Sequence, residues 1–139
     1  MLENKDVIQE ALKTIQELDR LYDSNNPIVV NQHCNRLSNL SVNVGKLTSD
    51  AEKLLDELEA EYDNAVEKKK LELIESGVGV GKAESMAKVE LFNKKKDSLL
   101  AKDGYKRLDR FLKRIDKVLD SNKQYCATLK KTDFRGGAD

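Results

Sequence analysis

The residues that could do chemistry are few and scattered. Ser76-Gly77-Val78-Gly79-Val80-Gly81-Lys82-Ala83 has the glycine density of a loop that cradles phosphate. A Walker-type loop needs Gly five residues before its Gly-Lys pair and Ser or Thr directly after the Lys. Ser76 and Ala83 stand at those positions, and no strand pattern precedes them. The stretch reads better as a turn between helices. His33 beside Cys34 suggests metal or thiol chemistry. With Cys126 they make three soft ligands, but without a C-x-x-C or H-x-x-x-H pair. Buried core thiols are the expectation, and no metal site. A redox disulfide would need an oxidising setting. A Ser or Cys nucleophile needs a base held by an orienting group. His33 is the one histidine, and neither a nucleophile elbow nor an oxyanion loop accompanies it. Glu57 and Glu61 are i,i+4 neighbours on a solvated helix face rather than a pair facing across a cleft. No catalytic residue and no cofactor are therefore expected, and the chain does not read as an enzyme.

Binding surfaces are better represented. From Asn31 to Gly45 the one formal charge is Arg36. Asn31, Asn35, Ser38, Asn39 and Asn43 are poor helix formers that a solvated face would normally replace with Lys and Glu. Charge depletion marks the cores of protein–protein interfaces, so these five residues are the candidate protein-binding face. A second candidate is basic. Lys102, Lys106, Arg110, Lys113 and Lys117 recur at helical spacing outside the apolar stripe, joined by Arg114, and could track phosphates without sequence readout. Asp103, Asp109 and Asp116 partly offset them. The aromatics there, Tyr105, Phe111 and Tyr125, fall in the apolar stripe and read as core rather than stacking platforms.

These residues need elements to hold them. Ile8, Ala11, Leu12, Ile15, Leu18 and Leu21 share one face of a first helix, about residues 3–22, stopped by Asp23-Ser24-Asn25-Asn26-Pro27. A second helix, about 28–75, carries the stripe Val30, Leu37, Leu40, Val44, Leu47, Leu54, Leu55, Leu58 and Tyr62. Gly45 leaves open a break between Ser41 and Ser49. Gly77 suits the left-handed position after a helix and Gly79 suits an N-cap. A third helix, about 80–131, has a stripe of Ala101, Tyr105, Leu108, Leu112, Ile115, Leu119 and Leu129 and would be roughly 75 Å long. Residues 132–139 read as a flexible tail after a single helical domain of residues 1–131.

The expected fold is all-α. It is a long, coiled-coil-like antiparallel αα-hairpin with a shorter N-terminal helix packed on its proximal half. Charge favours this pairing: residues 47–67 carry eight acids and one base, and residues 94–131 thirteen bases and five acids. Folding near Val78 places Lys94, Lys95 and Lys96 opposite Ala60 to Tyr62. The first helix is too short to reach the distal half. Leu54, Leu58, Tyr62, Leu91 and Leu99 are therefore the expected self-association residues of a homodimeric helical bundle.

With 39% hydrophobic and 36% charged residues, the apolar groups must lie on stripes to build a core. The formal net charge of zero predicts no polyanionic partner by itself. No apolar run reaches membrane length and the N-terminus lacks the apolar core of a signal peptide, so a cytoplasmic location without membrane contact is expected.

Ala60-Glu61-Tyr62-Asp63-Asn64-Ala65-Val66 and Gly79-Val80-Gly81-Lys82-Ala83-Glu84-Ser85-Met86-Ala87 carry a rhythm of Ala, Tyr and charge. Over about residues 48–131 the chain resembles small helical proteins encoded in the early or recombination gene clusters of tailed phages. The resemblance implies a non-enzymatic accessory in the host cytoplasm. Such proteins accompany single-strand annealing and single-strand-binding proteins, or inhibit host nucleases and immune systems. It carries over no functional residues. The expected partners are a second copy of the chain and a host or phage protein, with nucleic acid as the alternative.

Overall fold

The computed structural model describes the backbone of residues 4–21 and 26–136, with side chains for 5–21 and 26–124. It is all-helical: α1 spans Asn4–Leu21, α2 Pro27–Glu75, α3 Val80–Glu90 and α4 Phe92–Gly136. No strand occurs among the described residues. Cys126 and the stripe residues Tyr125 and Leu129 lie outside the described side chains.

Each helix end has a local cause. α1 has Asp6 in its first turn and Arg20 in its last, the signs its macrodipole favours. Pro27 opens α2, where its missing N–H costs nothing. Asn26 caps that end, its Oδ1 accepting from the Val29 N–H at 3.4 Å. At the other end of α2, Gly77 adopts φ 100°. The Val78 N–H donates to Leu73 O and the Gly77 N–H to Ile74 O, both at 3.0 Å, which is the Schellman pattern. Gly79 then precedes α3 in extended geometry.

Two boundaries depart from expectation. The stretch 80–131 is not one helix: it is interrupted at Leu91, with φ −97° and ψ 17°. The interruption is one residue deep. Leu91 still donates to Ala87 O, and Leu91 O accepts from both Lys94 and Lys95. No Gly or Pro marks it, so periodicity alone cannot detect it. At its other end α4 continues through Gly136, past residue 131. Residues 130–135 contain no Pro or Gly to end a helix sooner.

The chain packs as two compact units, Met1–Thr48 with Leu108–Asp139, and Ser49–Arg107. In the first, three helices share a core. Val7, Ala11, Ile15 and Leu18 of α1 meet Val30, Leu37, Leu40 and Val44 of α2 and Ile115 of α4. The α1 residues recur at i,i+4 and i,i+3, and Val30, Leu37 and Val44 are one heptad apart. Phe111, Leu112, Val118 and Leu119 close the core from α4. Two buried hydroxyls are satisfied within their own helices. Thr14 Oγ1 donates to Glu10 O at 2.7 Å and Thr48 Oγ1 to Val44 O at 2.8 Å.

The second unit has less to bury. Its buried apolar residues are Leu55, Val66, Ala83 and Ala87, and Ser98 is buried as well. Contacts run in opposite directions along its segments. Lys95 Nζ lies 5.1 Å from the Tyr62 ring centroid, and Lys69 Nζ lies 3.4 Å from Glu90 Oε2. That ion pair joins a base of α2 to an acid of α3, the reverse of the polarity that net charge suggests.

α2 passes through Gly45 unbroken. A Cβ built there would meet only Leu112 Cδ2, at 4.0 Å, an ordinary contact. Glycine in a helix interior is disfavoured relative to Ala by about 1 kcal/mol. Gly45→Ala should therefore raise the free energy of unfolding in urea by about that amount. Leu37→Ala, at a fully buried site, should lower it by about 2–5 kcal/mol.

Candidate interaction surfaces

The charge-poor face belongs to the first unit. Asn31, Asn35, Ser38, Asn39 and Asn43 are all exposed on α2. Two aliphatic residues not expected there share the face: Ile28 is 69% exposed and Val42 71% exposed. Residues 28, 35 and 42 are one heptad apart and so project in nearly the same direction. The face thus combines aliphatic anchors with uncharged hydrogen-bonding groups. Arg36, the one formal charge between Asn31 and Gly45, is ion-paired to Glu10 of α1 through its Nη2. Sequence reasoning missed the anchors because Val42 sits between the stripe residues Leu40 and Val44 and resembles them. Its signal was the helical angle.

His33 is part of the scaffold. Its Nδ1 donates to Val29 O at 2.9 Å, and its Nε2 meets Glu17 Oε2 of α1 at 2.8 Å. Both ring nitrogens are engaged, so His33 can serve as ligand or base only by breaking one of these contacts. No group of three His, Cys, Asp or Glu is placed to hold a metal ion among the described residues.

In the second unit the five expected self-association residues divide. Leu54 is 51% exposed and Leu99 50% exposed, whereas Leu58, Tyr62 and Leu91 are half-buried. The same unit also exposes Phe92 and Leu100, and Leu71, Val80, Met86 and Val89 outside the expected set. The glycine-rich stretch forms the turn between α2 and α3. Its Gly77 and Val78 amides are spent on closing α2, and Ser76 Oγ donates to Leu73 O at 2.7 Å. Glu84 of α3 is held below the usual carboxylate range, first by its hydrogen bond to Lys88 and then by the charges of Lys88 and Lys70.

The basic residues are exposed, Lys102 and Lys106 in the second unit and Arg110, Lys113 and Lys117 in the first. Lys113 Nζ lies 2.9 Å from Asp109 Oδ2, and Arg107 pairs with Asp103 at 3.1 Å. Part of the positive charge is thus neutralised within α4. No helix of the described residues is long and apolar enough to cross a membrane.

Comparison of the chain with models of known protein families, with curated proteins and with solved structures finds no match.

If Ile28 and Val42 are free surface anchors, they contribute little to folding. Ile28→Asp and Val42→Asp should each change unfolding free energy by no more than about 0.5 kcal/mol. A loss of several kcal/mol in urea melts would place those side chains in a core.

Proposed function

We propose that this chain is a non-enzymatic interaction protein that binds and modulates another protein through the uncharged face of α2. The observation that carries this reading is the pair of exposed aliphatics, Ile28 and Val42, set among Asn31, Asn35, Ser38, Asn39 and Asn43. Apolar anchors ringed by uncharged polar groups lose little solvation on docking, unlike a face of Lys and Glu. In keeping with the resemblance to tailed-phage early and recombination proteins, the partner is a host nuclease or immune factor that the chain inhibits, or a recombination protein that it assists.

The proposal includes an architecture: an antiparallel αα-hairpin, α1 against its proximal part, and two copies joined through the second unit. Tyr62 with Lys95 and Lys69 with Glu90 support the antiparallel sense. The exposed Leu54 and Leu99 support association. Large apolar side chains left in water forfeit about 1.5–3 kcal/mol each, and a second copy recovers part of that.

Asn35→Lys with Asn39→Lys should weaken a complex with a candidate nuclease or recombination protein by tenfold or more, about 1.4 kcal/mol. Helicity by circular dichroism should stay unchanged. Undiminished binding by that variant would remove the α2 face from the interface. A second reading is favoured by the exposure of Lys102, Lys106, Arg110 and Lys117, none of which has a carboxylate within 4.0 Å among the described residues. In that reading α4 holds nucleic acid electrostatically. Affinity would then fall steeply with salt and with Lys106→Glu, Arg110→Glu and Lys113→Glu. A gel that shows no shift at micromolar protein and low salt rejects it.

A further inference from the structure

α3 is a short helix with two unlike faces. Ala83 and Ala87 are fully buried on one side. On the other, Met86 is 41% exposed and Val89 78% exposed, the highest value among the large apolar side chains of this unit. Ser85, Met86, Val89 and Glu90 line a shallow depression of about 410 Å³ on that side. Lys82, Met86 and Val89 stand at i, i+4 and i+7, so they form one outward seam.

The charges along this seam have a direction. Lys82 is in the first turn of α3 and Glu90 is its last residue. Each has the sign that its own helix end disfavours, since the N-terminus carries partial positive charge and the C-terminus partial negative. Glu90 is 59% exposed at its side chain even while paired with Lys69. Lys82 is exposed and has no carboxylate within 4.0 Å among the described residues. The sequence therefore presents an apolar pair flanked by a base at one end and an acid at the other.

Such a strip is complementary to itself when reversed. We propose that α3 docks on α3 of a second copy, antiparallel, about a two-fold axis passing beside Met86. Lys82 of each copy then lies opposite Glu90 of the other, and the two Met86 side chains meet across the axis. Val89 of each copy then lies beside the aliphatic stem of Lys82 of the other. Each misplaced charge also gains the opposite helix end: Lys82 faces the negative end of the second α3, and Glu90 its positive end. The contact is isologous, so it closes at two copies rather than growing into a filament. A single pair of short helices buries less than the roughly 1,200 Å² of a stable interface. Phe92 and Leu99, exposed on the same unit, are further apolar area available to the pair.

This inference rests on the self-association reading and adds where the axis lies. It is tested with the full chain by sedimentation equilibrium at low salt. Lys82→Glu alone and Glu90→Lys alone should each weaken the dimer about tenfold, since like charges then face each other twice. The double variant, Lys82→Glu with Glu90→Lys, should recover the affinity of the unmodified chain. Val89→Asp should weaken association at any salt concentration. Circular dichroism of each variant separates loss of contact from loss of helix. If both charge reversals leave the dimer intact and Leu54→Asp or Leu99→Asp dissociates it, association stands and the α3 axis is wrong. If the unmodified chain is a monomer at every concentration up to about 100 µM, above the micromolar affinities common for transient pairs, both readings fail.

Discussion

A helix with a wide apolar stripe needs more than one partner helix, and the supply of partners decides how each part of this chain behaves. Val30, Leu37 and Val44 are fully buried because α1 and α4 both reach them. Further along α2, Leu55 and Val66 are buried but Leu54 is half in water. The sequence is no less apolar there. α1, which ends at Leu21, belongs to the first unit, and beside its parts of α2 and α4 the second unit has just the 11-residue α3. That difference separates a unit with a complete core from one whose apolar surface is partly unspent.

Charge is used differently in the two units. In the first, Glu10 with Arg36 and Glu17 with His33 tie α1 to α2 beside the aliphatic core. Pairs of this kind, still partly open to water, are worth about 1 kcal/mol or less each and act mainly on register. They also remove Arg36 from the adjoining face and leave it almost without free charge. In the second unit Lys69 reaches Glu90, and Lys95 lies over the Tyr62 ring. A cation over an aromatic face, like an exposed ion pair, orients more than it stabilises.

Much of the helical order was legible in the residues. Pro27 and Asn26 mark the start of α2, by a missing N–H and a side-chain cap, and Gly77, at φ 100°, marks the turn before α3 with a backbone geometry that few other residues tolerate. The Leu91 interruption was not legible, since it uses an ordinary residue and forfeits almost no hydrogen bonding. The charge-poor face was visible as a run of Asn and Ser. Its anchors were not, because Val42 is indistinguishable in type from Val44 and only packing separates them. Met86 and Val89 were likewise hidden: a stripe drawn from the dominant periodicity passes them by, and their exposure appears only once Ala83 and Ala87 are seen to be the buried side of α3. Gly45 posed the opposite problem, a residue whose type suggests a break where the buried neighbours Val44 and Thr48 keep the helix running.

The central proposal is that the first unit is complete within one chain while the second completes its core by association. Amide hydrogen exchange measured across a range of protein concentrations tests it directly. Protection of the α1 amides and of the first three turns of α2 should be strong and independent of concentration. Protection across α3 and the adjoining turns of α2 and α4 should rise as the protein is concentrated. Equal, concentration-independent protection of both units, down to the most dilute sample, would contradict the account.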